Sequence, residues 1–201
     1  METPQPTIFD DLRAPTGPDE EYRLASVLVL IYPRAGESYV VFMRRTDTVE
    51  HHKGQISLPG GGRDATDPDP VYTALREAQE ELGIDPGMVQ VIGTMPDIYA
   101  RVSSFLITPV VALLKPGTED RLVFKPAPEE VAEVLEVPLR VFYDESAHRT
   151  ETRTHDNVTY QIHFYTHGPY EVWGVTGRIM HEFTKRYPKS IFSPPQTTRN
   201  S

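Results

Sequence analysis

The chain has 201 residues, a net charge of −9 and no cysteine. That length suits one domain with a real core, and the acidic balance argues against nonspecific nucleic-acid binding. The lack of cysteine excludes disulfides, thiolate metal sites and a cysteine nucleophile.

Neither an apolar run of about eighteen residues nor a basic-then-apolar leader occurs, so a cytoplasmic protein with no membrane partner is expected. The 19 prolines gather in the first eighteen positions, the loops and the tail. Residues 1–20 and 191–201 are therefore expected to be flexible ends around a domain spanning 21–190.

In chain order, Arg23 to Tyr32 (RLASVLVLIY) is β-branched and apolar enough for a buried strand. Ser38 to Arg45 reads as its neighbour across a Gly36-Glu37 turn, and Gln55 to Leu58 as a short strand entering a glycine cluster. A helix is predicted over Pro70 to Leu82, followed by strands over Val89 to Ile98 and Ser104 to Leu114, joined near Tyr99-Ala100-Arg101. The stretch Glu129 to Glu136 is acidic and short and leads, through Pro138-Leu139, into a helical turn around Leu139 to Tyr143. Arg149 to Thr154 and Val158 to Thr166 read as a hairpin turning at Asp156-Asn157. Tyr170 to Trp173 then enters a last amphipathic helix, Val175 to Arg186, which ends before Pro188. Mixed strands with two substantial helices predict a three-layer α/β/α sandwich around a mixed β-sheet.

The helix Pro70 to Leu82 carries the chemistry. Asp69-Pro70 supplies an N-cap and a first-turn proline, and Gly83 ends it. Val71, Ala74, Leu75, Ala78 and Leu82 form an apolar stripe. Glu77, Glu80 and Glu81, spaced i, i+3, i+4, crowd like charges together and repel one another. A divalent cation with oxygen ligands removes that conflict, whereas a solvated acidic surface would leave it in place. Just upstream, Ser57-Leu58-Pro59-Gly60-Gly61-Gly62-Arg63-Asp64 can turn sharply and let backbone approach a ligand closely. A glycine loop feeding a carboxylate helix suits a metal held against a diphosphate.

The run Arg76-Glu77-Ala78-Gln79-Glu80-Glu81-Leu82-Gly83-Ile84 resembles the Nudix box, Gly-x5-Glu-x7-Arg-Glu-U-x-Glu-Glu-x-Gly-U, where U is apolar. Its C-terminal half matches at every fixed position. Its first half departs: Asp67 replaces Glu five residues after Gly61, and eight residues rather than seven separate it from Arg76. With Asp64 and the run Thr73-Ala74-Leu75-Arg76-Glu77-Ala78, this variant is similar to the coenzyme A pyrophosphatase branch. Val41-Phe42-Met43-Arg44-Arg45-Thr46, His51-His52-Lys53-Gly54 and Leu58-Pro59-Gly60-Gly61 fit the branch's upstream segment without a gap. Glu50, however, stands where the branch often has Arg, a charge reversal that bears on reading coenzyme A's 3′-phosphate. Trp173-Gly174-Val175-Thr176 resembles the branch's Trp-Gly-x-Thr run.

The resemblance implies a Nudix sandwich and a Mg²⁺- or Mn²⁺-dependent pyrophosphohydrolase, with a nucleoside diphosphate derivative as its small-molecule partner. Glu77 and Glu81 are the first-choice metal ligands, joined by Glu80 and a carbonyl of the Gly61 region. Arg76 is expected to orient the glutamates, and Glu80 is the nominee for catalytic base. Glu77 and Arg76 complete the catalytic set. Arg44, Arg45, His52, Lys53 and Gly60 are expected to contact substrate. Glu129 and Glu130 read as surface residues with a lesser claim on the metal. Trp173 reads as core in preference to a platform for adenine, and His163 and His181 as packed imidazoles, not ligands. Hydrolysis of another substrate (ADP-ribose, a dinucleotide or a nucleoside triphosphate) and a catalytically silent binding module are the alternatives, and a homodimer is the assembly left open.

Overall fold

Strand β1 (Arg23–Arg34) buries both of its faces, as its unbroken apolar run demands. Alternate residues go to opposite sides of the sheet. Leu28, Leu30 and Tyr32 join one core, and Val29 and Ile31 join the other. In this computed structural model, residues 22–46, 54–155 and 158–192 are described. Residues 1–20 and the Asp156-Asn157 turn expected in the hairpin lie outside that range.

β1 pairs antiparallel with β2 (Glu37–Arg45) and parallel with β7 (Phe105–Leu114), which makes the sheet mixed. β3 (Ile56–Ser57) extends it beyond β2, and β4 (Gly60–Gly62) pairs with the start of β1. The single strand expected over Val89 to Ile98 is two, β5 (Val89–Thr94) and β6 (Ile98–Ala100), both antiparallel to β7. The break follows from Gly93 at a register shift and from Pro96, which has no N–H to give the ladder.

The acidic stretch after Glu129 is strand β8 (Val131–Pro138), antiparallel to β2. Val131, Leu135 and Val137 are buried, while Glu133 and Glu136 meet partners from β2 and β1. Arg44 donates to Glu133 at 3.2 Å, and the Tyr32 hydroxyl to Glu136 at 2.8 Å. Cross-strand pairing accommodates these acids in a sheet.

Helix α1 (Pro70–Leu82) covers one face of the sheet, with Ala74, Ala78 and Leu82 fully buried against Leu28, Leu30 and Val110. Its caps are those predicted: Asp69 accepts from the Tyr72 N–H, and Gly83 sits at φ 69°. The opposite face carries an antiparallel sheet of β9 (His148–His155), β10 (Val158–His167) and β11 (Tyr170–Val172), together with helix α2 (Gly174–Arg186). Ile179, Met180 and Phe183 of α2 pack on Val29, Val40 and Phe42. The result is the layered α/β/α arrangement expected. Just past the expected domain end at 190, Phe192 is buried on Phe183, with ring centres 5.4 Å apart. An apolar ring at the chain's edge gains more from that contact than from solvent.

Candidate active site

β4 is wedged between β1 and α1, and only glycine allows it. A Cβ at Gly60 would lie 2.3 Å from the Ser26 carbonyl oxygen, and one at Gly61 would lie 2.5 Å from the Glu77 carboxylate. The Gly60 N–H donates to Glu81 Oε2 at 2.8 Å. The glycine strand therefore presses its backbone onto the carboxylate face of the helix.

Arg76 is the hub of that face. Its Nε and Nη2 grip Asp67 in a two-point bond at 3.1 and 2.9 Å. Nη1 reaches both Glu77 Oε1 and Glu80 Oε2 at 2.9 Å, and Nη2 donates to the Gly62 carbonyl at 3.1 Å. The planar guanidinium can serve these partners at once because its five donors lie in a fixed fork. Asp67 is buried and also accepts from the Thr73 hydroxyl and the Asp64 N–H. The hydrogen bonds from Arg76 above all hold its carboxyl down at about 2.

Glu81 is in the opposite condition. It is 3% exposed, and burial pushes its carboxyl up to about 8 despite the Gly60 N–H. The nearby charges of Glu77 and Glu130 push it further, and Arg45, 3.8 Å away, opposes them. Glu77 is half-buried and is also raised, first by burial, with Arg76 countering. Glu80 is exposed. Glu77 has Arg76 beside it at 2.9 Å, whereas the buried Glu81 has Arg45 at 3.8 Å, so Glu81 above all is short of positive charge. Carboxylate and carbonyl oxygens are the donors that hard divalent cations prefer. Glu77, Glu81, Glu80 and the backbone at Gly61 thus fit such an ion.

The structure brings Arg76, Glu77, Glu80, Glu81, Gly60 and Gly61 together. Among the described residues, it does not unite Arg44 with Arg45. Arg44 and Arg45 are successive on β2 and point to opposite faces of the sheet. Arg45 meets Glu81, and its Nε is buried without a hydrogen-bond partner among the described residues. Arg44 pairs with Glu133 and lines a separate open cleft of about 530 Å³ with Ile56, Tyr170 and Trp173. Trp173 is partly buried, stacks on Phe164 and also borders that cleft. Glu50, His52 and Lys53 lie outside the described residues.

Glu130 is exposed, as a surface residue would be, and its loop lies beside the site. Its loop is stitched to the site by bonds from the Ala127 N–H to the Glu81 carbonyl and from the Thr46 N–H to the Glu130 carbonyl, each 2.9 Å. Its charge is felt by both Glu77 and Glu81. The adjacent acids in Pro128-Glu129-Glu130 were the one sequence signal.

The glycine strand thus lies against a helix face of oxygen donors that fits a hard cation. A family model, the NUDIX domain, matches residues 22–160. The chain is 35% identical to the uncharacterized Nudix hydrolase NudL of Pectobacterium atrosepticum, over 82% of this chain and 83% of that one. It is 34% identical to the mitochondrial coenzyme A diphosphatase NUDT8 of Mus musculus, over 85% and 80%. Its fold matches a MutT/nudix family protein from Enterococcus faecalis with a TM-score of 0.53, at 17% identity over 89% of this chain and 66% of that one. The chain belongs to the Nudix hydrolases, enzymes that act on phosphorus-containing anhydrides and generally need a divalent metal. Among the described residues no helix is long and apolar enough to cross a membrane.

Proposed function

We propose that this Nudix hydrolase is a Mg²⁺- or Mn²⁺-dependent diphosphatase of coenzyme A or its thioesters, releasing adenosine 3′,5′-bisphosphate and 4′-phosphopantetheine, which keeps its acyl group when a thioester is cleaved. The observation that supports the metal assignment is the buried Glu81 carboxylate beside the half-buried Glu77, with the glycine backbone of β4 pressed onto both. The likeness to the coenzyme A diphosphatase of Mus musculus over most of both chains supports the substrate.

In this reading Glu77 and Glu81 hold the ion, with Glu80 and the Gly61 backbone completing its shell. The bound ion supplies neutralisation of charge on the diphosphate and a lowered pKa for water. Arg76 fixes Glu77 and Glu80 relative to one another through one nitrogen, and Asp67 fixes Arg76. Glu80 accepts Arg76 through Oε2, so its Oε1 is the oxygen to take a proton from attacking water. Glu130 is a second nominee for that proton, on the strength of its electrostatic reach to both buried glutamates. Arg45, beside Glu81, serves the diphosphate, and Arg44 and Trp173 border the cleft open to the rest of the substrate.

The test is a hydrolysis screen of coenzyme A, acyl-coenzyme A, ADP-ribose, NADH and dinucleoside polyphosphates, with Mg²⁺ and Mn²⁺ in separate arms and products identified by mass. Highest kcat/KM on coenzyme A or a thioester, with the two named products, is the expected outcome. Preferential turnover of ADP-ribose or a dinucleotide would replace this substrate with another nucleoside diphosphate derivative. No turnover of any would leave a binding module.

A further inference from the structure

On the face of the sheet opposite α1, three histidines from three elements converge: His148 opens β9, His163 lies in β10 and His181 in α2. All three are half-buried, and one ring nitrogen from each lies within 4.8 Å of the others. His148 Nε2 and His163 Nδ1 are 3.0 Å apart, and the His163 and His181 rings stack with centres 3.7 Å apart. Helix packing creates this convergence. Gly177 lets α2 lie on the backbone of β10, since a Cβ there would be 2.3 Å from the His163 carbonyl oxygen. His181 follows Gly177 by four residues, so the same helix face delivers its imidazole onto His163.

We propose that His148, His163 and His181 form a second metal site, selective for a borderline transition ion such as Zn²⁺ over Mg²⁺. The site is independent of the diphosphatase reading. Three imidazoles are nitrogen donors, which suit Zn²⁺, Ni²⁺ and Cu²⁺ and not the oxygen-seeking Mg²⁺. Tetrahedral Zn²⁺ with bonds of about 2.0–2.1 Å needs ligand nitrogens roughly 3.3 Å apart. Nitrogens already within 4.8 Å require only a small contraction. His163 and His181 are stacked within 16° of parallel, so one ring must turn about its χ2 for both lone pairs to meet one ion. The Tyr165 hydroxyl lies 3.2 Å from His181 Nδ1, and with that nitrogen as the protonated one, Nε2 remains as the ligand. Burial keeps the imidazoles neutral, the form that binds metal: His163 and His181 are each held down at about 4. Glu182 and Lys185 are the charged groups that act on the cluster, from α2. Apolar side chains at these positions would pack the same contact without the cost of burying polar rings.

The experiment uses the full chain and Zn²⁺. A Glu77→Gln/Glu81→Gln variant disables the carboxylate cluster, and Zn²⁺ binding is then followed by calorimetry in millimolar Mg²⁺. One Zn²⁺ per chain should remain, and adding His163→Phe should weaken it at least about tenfold. His181→Gln should do the same, and Co²⁺ should give the visible absorption of a tetrahedral nitrogen site in the carboxylate variant and lose it when His163 or His181 is also replaced. Melting curves without metal check that each variant folds. If His163→Phe does not, the imidazole proton resonances of the wild-type protein provide the measurement, and all three histidines should shift with Zn²⁺. Zn²⁺ binding that disappears with the carboxylates, or that survives both histidine substitutions unchanged, would overturn the site. Unmoved histidine resonances would do so as well. Because the readout is binding, failure here leaves the diphosphatase assignment standing, and failure of that assignment leaves this one untouched.

Discussion

Gly60 and Gly61 are neighbours in β4, yet a methyl added to each meets different atoms, and this separates catalysis from stability. At Gly61 the new Cβ would fall 2.5 Å from Cδ and Oε2 of Glu77 and 2.7 Å from Oε1. Ordinary contact between heavy atoms needs about 3.5–4.0 Å, so the carboxylate must retreat by roughly 1 Å. It is the end of a flexible side chain, and an off-rotamer adjustment costs about 0.5–1.5 kcal/mol. Gly61→Ala should therefore lose only about 1–6 °C in Tm. A displacement of about 1 Å in a catalytic group costs on the order of 10²-fold in rate, so turnover should fall by that much. At Gly60 the obstacles are backbone, the Ser26 oxygen at 2.3 Å and Val27 Cα at 2.5 Å, and φ is +150°. Gly60→Ala should cost about 2–6 kcal/mol from strain and overpacking together. Thermal melts, calorimetric Mg²⁺ titration and metal-saturated kinetics on both variants provide the check. Gly61→Ala with wild-type turnover and Mg²⁺ affinity would show that the position of the Glu77 carboxylate does not matter to the reaction.

Glu81→Gln should keep the fold, since a carboxyl pushed to about 8 is already mostly protonated near neutrality. It should lower kcat by about 10²–10³-fold and abolish the rise in Tm expected for the wild type in millimolar Mg²⁺; near-normal turnover at saturating metal would remove Glu81 from the ligand set. Asp67 is depressed from 3.8 to about 2, so its contribution to stability is complete above pH 3.8 and is lost as pH falls toward 2. Asp67→Asn should lower Tm at neutral pH and flatten the acid slope in that window, and parallel slopes in the two proteins would contradict the Arg76 clamp. Arg44→Ala should raise KM for coenzyme A more than for 3′-dephospho-coenzyme A, whereas Arg45→Ala, beside Glu81, should impair both alike; equal effects of Arg44→Ala on the two substrates would remove it from recognition of the 3′-phosphate.

The elements written in local chemistry were legible before the fold was known. α1 carries its own start in Asp69-Pro70 and its own stop in Gly83, so both bounds were readable to the residue. β1 announces itself through an apolar run that only a doubly covered strand can bury. β8 was not legible, because Glu133 and Glu136 break its apolar pattern, and their partners, Arg44, Tyr170 and Tyr32, come from distant strands. The Arg44 and Arg45 pair misled for a related reason. Adjacent in sequence, they suggest one basic patch, but strand geometry sends neighbours to opposite faces.

The same distinction holds within the site. Glu77, Glu80 and Glu81 are grouped by helical periodicity, so sequence alone places them together. The departure from the box upstream of them is explained only in three dimensions. One extra residue separates Asp67 from Arg76, and aspartate is a methylene shorter than glutamate. The segment takes up the difference by folding on itself: the Asp67 N–H donates to the Asp64 carbonyl, and the Asp64 N–H donates back to the Asp67 carboxylate, each at 3.0 Å. Arg63 adds bonds to the carbonyls of Asp67 and Pro68. That turn delivers the shorter side chain to the guanidinium in two-point contact. A longer acid in the same closed turn would have to fold back or push Arg76 away from Glu77 and Glu80. The aspartate and the extra residue are therefore a matched pair, and restoring glutamate at 67 without deleting a residue should loosen the clamp.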